Sequence, residues 1–178
     1  MDTVIIPDLR YPIGNFIKKD HYPKEEIQEM ITVIAGAPAK YEALVANLTE
    51  ADLLKTYREG SWNIRQLVHH VADIQMLHFL RMKKALTEKD YSEVTLINMD
   101  GWAETADGKT EAVEDSLQML EGITKRYVFL MQRLSEEALQ ISYYHPLRGY
   151  HITQAQAIAM SAWHLQHHLA HIELALNQ

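Results

Sequence analysis

Thr153-Gln154-Ala155-Gln156-Ala157-Ile158-Ala159-Met160-Ser161-Ala162-Trp163-His164-Leu165-Gln166-His167-His168-Leu169-Ala170-His171 opens on a capping box, Thr153 with Gln156, and continues close to the C-terminus without a break. With His164 at zero and about 100° per residue, His168 falls near 40° and His171 near 340°, so the three share one stripe. His167 sits to one side. Gln166 and Glu173 fall at about 200° and 180° and mark the solvent face, so the stripe points inward. Leu165, Leu169, Ile172 and Leu176 line one flank, and Met160, Trp163 and Leu174 the other. Ala157, Ser161 and Ala175 leave room beside the imidazoles. A helix that turns several histidines and small residues toward its apolar side packs inside a helical assembly and lines a cavity there.

Upstream, the same period recurs three times. From Lys24 to about Leu48, Ile27, Met30, Ile31, Ile34, Leu44, Val45 and Leu48 repeat at three and four. Gly36 and Pro38 are expected to kink or split this helix. Thr49 caps a short helix through Leu54, and residues 57–62 form a loop punctuated by Gly60. Asn63 with Gln66 is a second capping box, starting a helix that runs to about Leu86. A third helix is predicted from Thr110 to Leu134, with a short helical turn restarting at Ser135. The polar window 87–109 is long for a structureless connection, a length that often carries function. Ser142–His145 and Tyr150–Thr153, around Pro146-Leu147-Arg148-Gly149, read as a short β-hairpin. Residues 1–23 lack helical periodicity and read as an arm packed on the body. The expected fold is therefore all-α: one domain over 1–178, a four-helix bundle with a long crossover, an N-terminal arm and a hairpin before the last helix.

Composition narrows the function. The 178 residues include no Cys, which excludes disulfide and zinc-finger frameworks, and 17 Lys plus Arg against 24 Asp plus Glu leave a net charge of −7. That balance disfavours nucleic acid and anionic lipid as partners. The opening MDTVIIPDLRYPIG has no basic n-region followed by an apolar run, and no stretch approaches the ~18 apolar residues of a membrane span, so the cytoplasm is the expected address. No Ser-His-Asp arrangement, phosphate-binding glycine loop or dinucleotide fingerprint is present.

Seven of the ten histidines lie within 69–78 and 164–171. On the second long helix, His70 falls in the arc of Ile64, Leu67, Val71, Ile74 and Leu77, whereas His69 is turned about 100° away. A lone interior histidine is more often a hydrogen-bonded core residue than a ligand, the preferred reading for His78. For His70, His164 and His168 together the preference reverses. Two histidines at i, i+4 and a third from a facing helix form a three-ligand site with an open fourth position, and a divalent metal accepts the lone pairs that are costly to bury unshared. His167 and His171 are also four apart and stay open as alternatives. Zinc is the expected ion, and nickel binds the same ligands. Asp73 is placed to orient an imidazole, or is a surface acid; His171 is placed to shuttle a proton, or fills the core. Tyr144, His145, Arg148 and Trp102 come from segments that could cover the mouth of the bundle.

The phrase Tyr57–Asp73 (YREGSWNIRQLVHHVAD), with Trp163–His171 (WHLQHHLAH), Tyr11-Pro12-Ile13-Gly14, Trp102 and Tyr144-His145-Pro146, resembles the YfiT branch of the DinB-like superfamily over nearly the whole chain. The resemblance implies a four-helix bundle with a metal held by three histidines, one on the second long helix and two on the last, which fall here on His70, His164 and His168. It implies a cytoplasmic, often dimeric, metal-dependent hydrolase of a small-molecule substrate. Relatives of that branch are thiol S-transferases that use bacillithiol or mycothiol, so a low-molecular-weight thiol cofactor is the alternative; a non-catalytic metal-binding bundle and a purely structural one are the others. A three-histidine metal site suits either chemistry, activating water for hydrolysis or a borrowed thiol for transfer.

Overall fold

The computed structural model describes residues 8–177. Four long helices dominate: α1 (Lys24–Val45), α3 (Ile64–Thr87), α6 (Val113–Met131) and α8 (Gln154–Leu176). Between them lie α2 (Glu50–Leu53), α4 (Met99–Ala103), α5 (Ala106–Thr110), α7 (Glu136–Gln140) and the antiparallel hairpin β1 (Ser142–His145) and β2 (Tyr150–Thr153). The expected all-α four-helix bundle and its hairpin are present. Around the bundle α1 packs on α6 and α8, and α3 packs on the same two, so α1 lies diagonally across from α3 and α6 across from α8. Two consecutive pairs of long helices are therefore joined across a diagonal, which makes those connections long.

The helix starts follow from local chemistry. Complete capping boxes stand at Asn63/Gln66 and Thr153/Gln156, and a third, Thr49/Asp52, opens α2. Each satisfies orphan amides that would otherwise face the core or water unpaired. Of the expected kink or split at Gly36 and Pro38, the split does not occur: α1 passes through both as one helix. Proline in a helix interior costs about 3 kcal/mol. Ile27, Ile31 and Ile34 before it, and Tyr41 and Val45 after it, are buried in the same core and hold both halves against the body.

The 88–112 connection is not structureless. It contains α4 and α5, and Tyr144 pairs with it on either side of Glu93, accepting from Val94 N (2.9 Å) and donating to the Ser92 carbonyl (2.8 Å). Val94, Tyr143, Ile152, Ala157 and Met160 form a small second core there, which seats the hairpin on the start of α8. The described part of the arm packs on the body as expected: Trp163 donates to the Gly14 carbonyl (3.2 Å), Gln156 to the Lys19 carbonyl (2.9 Å), and Tyr22 is buried. Arm residues 1–7 lie outside the described residues.

A buried polar bridge sets the register of α3 against both neighbours. Ser161 donates to Gln75 Oε1 (3.1 Å), and Gln75 Nε2 donates to Thr124 Oγ1 (3.2 Å); all three side chains are buried. Gln75 lies five residues after His70, and Ser161 three before His164. The bridge thus fixes the height at which the histidines of the two helices meet.

Candidate metal centre

His70 from α3 meets His164 and His168 from α8. His70 Nε2 and His164 Nε2 are 3.1 Å apart, and one ring nitrogen from each of the three residues lies within 4.8 Å of the others. On a tetrahedral ion with bonds of 2.0–2.1 Å, ligand nitrogens stand about 3.3 Å apart, so these donors need only small shifts to share one cation. Burial pushes His70 down to about 3, with the field of His167 adding to it, and holds His164 and His168 well below the ordinary histidine range, the neighbouring imidazoles adding to the effect. Neutral imidazole is the form that ligates metal. His164 keeps partial exposure, so the donors are not sealed from small molecules.

His167 and His171 converge on His168 as well, as a second group of three. Hydrogen-bond logic separates the two groups. His171 Nε2 is 3.2 Å from the Arg10 carbonyl, which can only accept, so that nitrogen carries the hydrogen. A neutral His171 then accepts at Nδ1, and the partner 3.3 Å away is His168 Nδ1, which must donate. His168 is left with its lone pair on Nε2, available to the centre it shares with His70 and His164. Tyr57 stacks on His171 at 3.9 Å between centroids and 11° between planes, fixing that ring. His167 lies against Trp163 (4.4 Å, 18°) as an aromatic packing residue.

Three sequence-based expectations need correction. His69 does not turn outward: it is buried, with Nδ1 2.7 Å from Ser116 Oγ and Nε2 3.2 Å from the Glu111 carbonyl, because the 88–112 connection folds back over its helix face. Asp73 bonds to no imidazole among the described residues; partial burial and, secondarily, the charge of Asp107 raise its carboxyl to about 6. His78 is interior, but its buried Nδ1 lacks the hydrogen-bond partner expected of a core histidine. Trp62 was not singled out from the sequence, yet its ring lies 4.6 Å from His70 and 6.5 Å from His168 and walls the cluster. Its signal was its place immediately before the α3 capping box. Trp102 lies on α4, partly exposed, and Tyr144 lies tilted against His151 (5.4 Å, 55°).

The DinB superfamily model matches residues 34–172, which include α3, most of α8 and all three clustered histidines. The chain belongs to the DinB superfamily. Its DinB relatives include a protein of Oceanobacillus iheyensis named "Putative metal-dependent hydrolase OB0413", 42% identical over 170 residues with 96% of each chain covered. A second, from Halalkalibacterium halodurans and bearing the same description, is 41% identical over 169 residues, covering 95% of this chain and 97% of the relative. The solved structure of YfiT from Bacillus subtilis, reported as "a probable metal-dependent hydrolase with an unusual four-helix bundle topology", superposes with a TM-score of 0.91 at 34% identity, over 96% of this chain and 98% of that one. Among the described residues of this DinB protein, no helix is long and apolar enough to cross a membrane.

Proposed function

We propose that the protein is a metal-dependent hydrolase of a small-molecule substrate, with His70, His164 and His168 as the protein ligands of one divalent cation, zinc first and nickel second. The observation that carries this reading is the convergence of three neutral imidazoles from facing helices, His70 and His168 buried and His164 partly exposed, with His70 and His164 Nε2 3.1 Å apart. The names of the DinB relatives support metal dependence and hydrolysis. A cation in such a site supplies Lewis acidity and lowers the pKa of water toward about 7. The chain's own residues do the rest. Arg10 and Tyr57 hold His171, which takes the Nδ1 hydrogen of His168 and keeps that imidazole's lone pair on Nε2. Trp62 packs against His70 and excludes bulk water from that side. The two helices arrive already in register through Gln75 and Ser161.

The test is elemental analysis of untagged wild type and His164→Ala, followed by ester and amide hydrolysis with and without a small thiol. The wild type is expected to carry stoichiometric metal and to hydrolyse without thiol; the variant is expected to lose the metal while keeping its helical circular dichroism. Full metal content in the variant would overturn the ligand assignment. Turnover of electrophiles only in the presence of thiol would replace hydrolysis with S-transfer, and metal without turnover would leave a binding bundle.

A further inference from the structure

Beside the imidazole cluster stand two arginines and two neutral histidines that no acid answers among the described residues. His78, two turns after His70 on α3, lies edge-on to His164, with centroids 5.9 Å apart and planes at 75°. It is 8% exposed and its Nδ1 has no hydrogen-bond partner; His145, at the end of β1, has the same exposure and the same unpartnered Nδ1. Arg81, one turn beyond His78, is also buried. Its Nε and Nη2 both donate to the Thr95 carbonyl (3.2 and 2.7 Å), and no carboxylate pairs with it among the described residues. Arg148 sits in the hairpin turn, exposed, its amide bonded to the His145 carbonyl (3.0 Å), and it forms no ion pair with any described residue. The fields of both arginines reach His78 and His145, and that of Arg148 reaches His164.

Although the chain has 24 acidic residues, none of the described ones pairs with these groups or adds its field to those of His78, Arg81 or His145. Burying a guanidinium against one carbonyl, beside unpaired imidazole nitrogens, is costly unless an anion completes the arrangement. We infer that this corner is the anion pocket of the substrate: Arg81 and Arg148 hold an oxyanion, carboxylate or phosphate, with His78 and His145 donating to it, while the attached reactive group lies against His70, His164 and His168. The inference rests on the hydrolase reading for the reacting group, but the pocket itself is built from arginines and does not need the metal. Arginine suits the role because its guanidinium carries several fixed N–H donors: with Nε and Nη2 of Arg81 on the Thr95 carbonyl, its Nη1 end faces the anion together with Arg148.

Isothermal titration with malonate, with inorganic phosphate and with uncharged malonamide tests it, on metal-loaded and chelator-stripped wild type and on Arg148→Gln, with metal content measured on each sample. Malonate or phosphate is expected to bind in both metal states, malonamide in neither, and Arg148→Gln to weaken binding about tenfold or more with unchanged metal content and Tm. Whichever anion binds identifies the group. Arg148 is exposed at a turn, so its replacement leaves the fold intact. No anion binding by wild type, wild-type affinity in Arg148→Gln, or binding that vanishes when the metal is stripped would each overturn the pocket. A wild type without metal would sink the hydrolase reading while the stripped-protein titration still decides the pocket.

Discussion

Asp73 shows how one residue can sit beside the site chemistry without joining it. Its carboxyl is raised to about 6 by burial, with Asp107 adding repulsion, and it has no cation or imidazole in compensation. Because the folded state holds the proton more tightly than the unfolded chain, ionised Asp73 destabilises the fold. Stability from this group is gained as the pH falls through about 6 toward the ordinary carboxylate range near 3.9. Asp73→Asn is therefore expected to stabilise the protein at pH 8 by about 1 kcal/mol, allowing for solvent screening of a half-buried group, and to be neutral near pH 4. Urea unfolding at the two pH values checks this; equal effects at both would contradict it. His171 illustrates the opposite case. Its place on the stripe, one turn beyond His168, was legible from spacing, whereas its bond to the Arg10 carbonyl depends on an arm 161 residues away in the chain, which no helical wheel contains.

Among elements, those whose ends are chemically marked were the most legible. Asn63/Gln66 and Thr153/Gln156 start α3 and α8 because a side-chain oxygen and an amide satisfy each other locally, without help from the rest of the molecule. Pro38 misleads for the complementary reason: its cost is local, but the packing that offsets it on both sides of α1 is not. The 88–112 connection hid α4 and α5 in the same way, since helices of five residues are stable only where they are packed. The Ser161–Gln75–Thr124 bridge is an interaction between elements that periodicity cannot see. Gln75→Ala removes the central member and leaves two buried hydroxyls to find new partners. It is expected to cost about 1–3 kcal/mol in denaturant unfolding and to weaken metal binding by loosening the α3–α8 register. Unchanged stability would show the bridge to be energetically idle.

The molecule as a whole concentrates neutral histidines in its interior, and this fixes its response to acid. His70 and His78 are pushed down to about 3, His145 and His167 to about 4, and His164 and His168 well below the usual range, in each case chiefly by burial. The unfolded chain protonates these groups near 6.5 and so binds more protons than the native state below that pH. Stability is therefore complete above about 6.5 and is lost as the pH falls, by up to ~1.4 kcal/mol per pH unit for each histidine. Metal-free protein is expected to show a steeply falling urea midpoint between pH 7 and 5; a flat profile would mean that the histidines are hydrated and not interior.

The sequence alone determined what is periodic or contiguous: four long helices, two of their capping boxes at the site, the inward stripe of His164, His168 and His171, and the inward turn of His70. These depend on 3.6-residue geometry and local hydrogen bonds, both of which are written in neighbouring positions. The tertiary structure alone decided what those faces meet. Diagonal packing brings α3 against α8, the arm supplies a carbonyl to His171, the folded-back connection buries His69, and the hairpin sets Arg148 and His145 beside Arg81 and His78. Such contacts join residues tens to more than a hundred positions apart, and they form because separate apolar faces find a common core, which no local pattern encodes.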